Sequence, residues 1–152
     1  MNGYRNGNGI GVYRETNVVT ADPKRLVILC YEGAITSLKI ARARYLSREY
    51  EAKAKALQKA EDIIGQLLGA LDFEKGGEIA KNLSALYKYM LRRLAEADLR
   101  RDMQTFDEVI HMLETLLSAW REAFYGSAGK EKVLTAEVAA GKSSRVLSGL
   151  PA

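Results

Sequence analysis

Four stretches of the chain repeat apolar side chains at spacings of three and four, and that period decides what the chain can fold into. The first stripe is Val27, Tyr31, Ala34, Leu38, Ala41 and Tyr45, and the second is Leu57, Ala60, Ile64, Leu67 and Leu71. Beyond the breaker pair Gly76-Gly77, the third runs through Ile79, Leu83, Leu86, Met90 and Leu94, with Tyr87 and Leu91 beside it. The fourth, opened by the capping residue Asp102, passes through Phe106, Ile110, Leu113, Leu117, Trp120 and Phe124. Asp22-Pro23 offers a side-chain oxygen for an N-cap and a proline for the first helical position, so the first helix starts there. Each stripe corresponds to a helix of about 20 to 24 residues, or ~30 to 36 Å at 1.5 Å per residue. The connections are short, which favours antiparallel neighbours. The fold class is therefore all-α, an antiparallel up-and-down four-helix bundle over residues 22–125.

Both flanks differ in composition. Gly3, Gly7, Gly9 and Gly11 stand among asparagines, a mixture too permissive and polar to pack, so residues 1–21 read as a flexible N-terminal arm. Strand-like alternation is confined to the brief stretch from Gly9 to Val19. After Tyr125 the chain turns small and polar, then offers one weakly amphipathic stretch from Lys130 to Ala140, so residues 126–152 read as a short C-terminal helix or tail.

A chain of 152 residues fits one domain and can bury a sizeable core without disulfides. Cys30 lies in the apolar run Leu26 to Tyr31 and reads as a small hydrophobe in a reducing compartment. The start of the chain lacks the apolar stretch of a signal peptide, and no apolar run approaches the ~20 residues that span a bilayer, so the expected location is cytoplasmic, without stable membrane insertion. The net charge of +4 arises from 23 basic residues interspersed with 19 acidic ones. Arg42, Arg44, Arg48, Arg92-Arg93 and Arg100-Arg101 are the candidates for a nucleic-acid surface, but no helix-turn-helix, zinc or aromatic ribonucleoprotein signature accompanies them. A basic helical nucleic-acid-binding or regulatory protein is thus the alternative reading, and no nucleic-acid partner is expected.

Catalysis needs a tuned group beside an orienting partner, and from that repertoire the chain has His111 and Cys30, on different predicted helices. One histidine and one cysteine make no zinc cluster. Glu96 with Asp98, and Asp107 with Glu108, lack di-iron spacing and read as surface charges. No enzyme activity, metal or cofactor is expected.

The second and third helices carry more apolar width than a bundle core needs: Ile63 and Leu68 on one, Ala80, Tyr87 and Leu91 on the other. Either the flanking arm or tail covers that face, or a partner does.

Four segments carry a resemblance to a known family. They are Tyr13 to Pro23 leading into Leu26 to Ile35, then Lys59 to Ile64, then Asn82 to Leu94, and Ala119 to Ala123. The Leu-Tyr-x-Tyr-Met-x-Arg-Arg-Leu run over 86–94 is the most specific part. Over about Tyr13 to Tyr125 the chain resembles the flagellar export chaperone FliS family, departing from its usual pattern at Glu32 and at Leu29-Cys30. The resemblance implies an antiparallel helical bundle that binds the disordered C-terminal segment of flagellin, prevents premature polymerisation and delivers it to the type III export apparatus. It implies as partners that flagellin segment and the cytosolic domain of an export-gate membrane protein, for a monomer or weak homodimer. Combined with the extra apolar width, it makes Ile10, Tyr13, Ile63, Ile64, Leu68, Leu71, Ala80, Leu83, Tyr87, Met90 and Leu91 the candidate flagellin-contacting residues. Ile10, Val12 and Tyr13 are also expected to let the arm fold back over the exposed face until flagellin displaces it.

Overall fold

Helix α1 spans Pro23–Leu46, α2 Tyr50–Gly69, α3 Phe73–Arg100 and α4 Met103–Tyr125 in a computed structural model that describes residues 22–126. Three of the four starts are fixed by an aspartate whose carboxylate accepts an orphan backbone N–H. Asp22 accepts from Arg25 at 2.8 Å, Asp72 from Lys75 at 3.0 Å and Asp102 from Gln104 at 3.0 Å. The α2 start at Glu49 has no side-chain cap. The arm, with Ile10 and Tyr13, and the amphipathic stretch at 130–140 lie outside the described residues.

Helix α1 packs against α2 and α4, and α3 closes the ring by packing against the same two helices. With three-residue or shorter turns between helices, this is an up-and-down bundle with α1 and α3 on one diagonal. Tyr31 bridges that diagonal: its hydroxyl lies 2.5 Å from the Tyr87 hydroxyl and accepts the indole N–H of Trp120 at 3.3 Å. Around this triad Ile28, Leu38, Ile63, Ile64, Met90, Leu94, Phe106 and Leu113 are almost wholly buried. Burial pushes the Tyr31 hydroxyl up to about 12 and the Tyr87 hydroxyl well above its ordinary value.

The core stripe of α3 keeps Leu83, Met90 and Leu94 of the expected one and replaces Ile79 and Leu86 by their neighbours Ala80 and Tyr87. Ala80, Leu83, Tyr87, Met90, Leu94 and Ala97 are buried, while Ile79, Leu86 and Leu91 are half-buried and pack at its edge. Leu86 and Tyr87 compete for the inward position, and Tyr87 occupies it because its hydroxyl finds Tyr31 there. The glycine pair also behaves differently from a terminator. The chain turns at 70–72, Asp72 opens α3, and Gly77 sits within the helical span at φ 52 and ψ −130, marking a kink.

That backbone position yields a contrast. A Cβ on Gly77 meets nothing within 4 Å, so Gly77→Ala has no clash, yet the conformation is closed to an L side chain. The substitution should cost about 1–3 kcal/mol through strain alone. Gly65→Ala, in ordinary helical backbone with equally open space, should stabilise by about 0.5–1 kcal/mol. Urea melts of both variants measure the opposite signs.

Candidate functional site

The most apolar concavity described is a groove of about 250 Å³ between the start of α3 and the end of α4. Ile79, Asn82 and Leu83 form one wall, and Leu116, Ala119, Trp120 and Ala123 the other. The small residues at 119 and 123 flank Trp120 one turn apart and leave the slot open, while the indole forms its floor and is tied through its N–H to Tyr31. At this volume the groove falls below the ~300–1,000 Å³ of sites that engulf a small molecule, and it suits a few side chains from a protein segment. A larger space of about 590 Å³ between α1 and α4 mixes Ile35, Leu117 and Tyr125 with the charged Glu32, Glu114, Arg121 and Glu122. It is less uniformly apolar than the α3/α4 groove, which has no charged side chain in its lining.

Leu83 is the one sequence-derived candidate that lines the groove. Ile63, Ile64, Ala80, Tyr87 and Met90 are packed into the bundle's own core, each at most 2% exposed. Leu68, Leu71 and Leu91 are half-buried against that core. The α4 wall, Leu116, Ala119, Trp120 and Ala123, was outside the candidate set. Its signal in the sequence is Leu116, which falls beside the core stripe of α4, followed by alanines on either side of the tryptophan.

The Leu86 to Leu94 run is explained by packing on both sides of α3. Tyr87, Met90 and Leu94 face the core, while the Tyr89 hydroxyl donates to Glu108 at 2.7 Å and Arg93 bonds Glu108, Glu96 and Thr105. The Tyr89 hydrogen bond, with Arg93, holds the Glu108 carboxyl below its usual value. Glu96, Asp98, Asp107 and Glu108 thus all form ion pairs, with Arg93, Lys53, Arg42 and again Arg93, most of them between helices. Arg42, Arg44 and Arg93 are correspondingly neutralised by neighbours and form no continuous cationic stripe. His111 is exposed on α4, and Cys30 is half-buried against the core. Among the described residues no group of three His, Cys, Asp or Glu side chains is placed to hold a metal ion. No described helix is long and apolar enough to cross a membrane.

Fold and groove define a class, the all-α helical bundles that offer an apolar slot scaled to side chains. Within it, the chain belongs to the flagellar protein FliS family, whose family model matches residues 6–127. It is 45% identical over 109 residues to the flagellar secretion chaperone FliS of Salmonella typhimurium, covering 71% of this chain and 81% of that protein. It is 41% identical to the flagellar secretion chaperone FliSB of Pseudomonas aeruginosa, covering 70% and 84%, and 29% identical to the flagellar secretion chaperone FliS of Bacillus subtilis, covering 76% and 86%. The family is one of secretion chaperones, and residues 128–152 lie beyond its match.

Proposed function

We propose that the chain is a cytoplasmic chaperone that holds the C-terminal segment of flagellin, keeps it from polymerising and hands it to the flagellar type III export apparatus. It does so by binding alone, without catalysis. The observation that supports this most is the α3/α4 groove, apolar on both walls and open to the surface. A flagellin segment that becomes helical with one apolar face would place leucine-sized side chains there in exchange for the neighbours it lacks outside the filament. Ordering such a segment costs about 2–5 kcal/mol or more, which calls for ~1,000–3,000 Å² of burial. One groove is too small for that, so the segment covers further surface as well, for which the half-buried Leu68, Leu71 and Leu91 are the candidates.

Co-expression with the last ~40 residues of flagellin, a length typical of segments that fold on binding, tests this. The expected result is a co-purifying complex with more helix than its parts. His111→Ala and Cys30→Ala should bind the segment as the parent chain does, because neither side chain lines the groove. No complex, together with salt-sensitive retention on DNA, would favour the nucleic-acid reading instead.

A further inference from the structure

The end of the bundle away from the groove combines strained backbone, free positive charge and exposed apolar side chains. The α1/α2 and α3/α4 turns meet there, clasped by the ion pairs of Lys53 with Asp98 and of Arg42 with Asp107. From Leu83 in the groove to Leu99 at this end is ~24 Å along α3. Each turn closes on an arginine in the left-handed region, Arg48 at φ 65 and Arg101 at φ 60. Glycine or asparagine takes that conformation at far lower cost and is the usual residue after a helix. Cations do complement helix C-termini, but an arginine in the last helical turn achieves this without entering the left-handed region. Strain of this kind persists where the side chain has a use.

Arg48, Arg100 and Arg101 form no ion pair among the described residues. The carboxylates nearby are mostly committed: Glu49 to Arg44, Asp98 to Lys53, and Asp102 to capping α4. Asp102 keeps its charge while capping α4, and Glu51 has no ion-pair partner among the described residues, so these two offset two of the three cations and leave the end with a small positive excess. Leu46, Tyr50 and Leu99 protrude among these charges, 59%, 51% and 83% exposed.

Four helices of ~10 Å diameter present an end of ~400 Å². That is half of the ~800 Å² per partner that a specific protein interface needs. A lipid surface sets no such threshold, because each cation and each inserted side chain adds separately. We propose that this end of the bundle docks peripherally on an anionic bilayer. The guanidiniums of Arg48, Arg100 and Arg101 meet the headgroups, Leu46 and Leu99 enter the interface, and Tyr50 sits at its polar boundary. The groove then faces away from the membrane and stays open.

Sedimentation of the full chain with phosphatidylglycerol/phosphatidylethanolamine vesicles, against pure phosphatidylcholine vesicles, tests this at about 0.1 M salt, where the screening length is ~10 Å. Retention on the anionic vesicles alone, released by added salt, is expected. Arg48→Gly with Arg101→Gly should lower partitioning about thirtyfold, since each cation near such a surface contributes about fivefold (~1 kcal/mol). Its melting temperature should hold or rise, because glycine suits both turns. Arg100→Gln and Leu99→Ser, which place no demand on the backbone, should each lower partitioning further. Absence of vesicle binding, equal binding to both lipids, or anionic binding undiminished in these variants would overturn the proposal; the first of these would leave an acidic protein partner as the reading of this end.

Discussion

Placing a carboxylate at Ala119 is expected to weaken binding of the flagellin C-terminal segment about a hundredfold while leaving the thermal melt unchanged. Ala119 lines the groove yet is exposed in the free bundle, so the charge is solvated until a segment covers it. Burying it then, without a partner, costs about 3 kcal/mol or more, and each 1.4 kcal/mol is tenfold in affinity. Ala123→Glu, half-buried in the same wall, should act in the same direction. Ala95→Glu, exposed on α3 outside the groove, makes the same charge change and should bind as the parent does. Leu68 and Leu91 are less informative positions, because both pack against the core and a charge there would cost stability as well as binding. Calorimetric titration of the three variants with one flagellin peptide gives the comparison. Equal affinity in Ala119→Glu and Ala95→Glu would remove the groove from the binding site.

The largest effect on stability is expected at Tyr31, which is 0% exposed and joins the α1/α3 diagonal to Trp120. Tyr31→Ala should lose about 3–5 kcal/mol of packing. It also strands the Trp120 N–H and the Tyr87 hydroxyl, for about 1–3 kcal/mol more. Against the ~5–15 kcal/mol of an ordinary domain, that removes about half of the stability or more, and unfolds the bundle if it lies at the low end of that range. Tyr31→Phe keeps the ring, so it should cost about 2 kcal/mol, and a urea midpoint unchanged in Tyr31→Phe would mean that the hydroxyl bonds contribute nothing. The same buried hydroxyl predicts an alkaline limit. Its folded pKa of about 12 lies above the ordinary 10.0, so the folded state holds the proton more tightly. The stability from Tyr31 is fully present below pH 10 and falls as the pH rises towards 12, by up to about 1.4 kcal/mol per pH unit. In Tyr31→Phe that part of the decline should vanish.

Helix number, order and most inward faces were legible because the period of the apolar residues is long and regular in α1, α2 and α4. The helix start at Asp22-Pro23 was legible from capping chemistry, and the equivalent cap at Asp72 was obscured by the adjacent Gly76-Gly77, which draws the eye as a stronger punctuation. The face of α3 was ambiguous in principle. Leu86 and Tyr87 are both adequate core residues by hydropathy, and the choice rests on a hydroxyl pair between positions 56 residues apart. Such a pair has no local signature. The site was less legible than the fold for a related reason. Apolar width identifies residues that are covered, but not whether they sit wholly inside the chain's own core, as for Ile63 and Met90, or also border a groove, as for Leu83. The slot beside Trp120 depends on what its neighbours lack, since alanines at 119 and 123 leave room that a pattern of apolar residues does not register.

Trp120 is the sole tryptophan of the chain and lines the groove at 9% exposure, so tryptophan fluorescence comes from this one position. Titrating the chain with a tryptophan-free peptide of flagellin's C-terminal segment measures the central claim directly. A saturable change in Trp120 emission that follows the calorimetric isotherm, and that is lost in Ala119→Glu, is the predicted result. Tight binding of the peptide with Trp120 emission unmoved throughout would contradict the account, because the segment would then be held somewhere other than the α3/α4 groove.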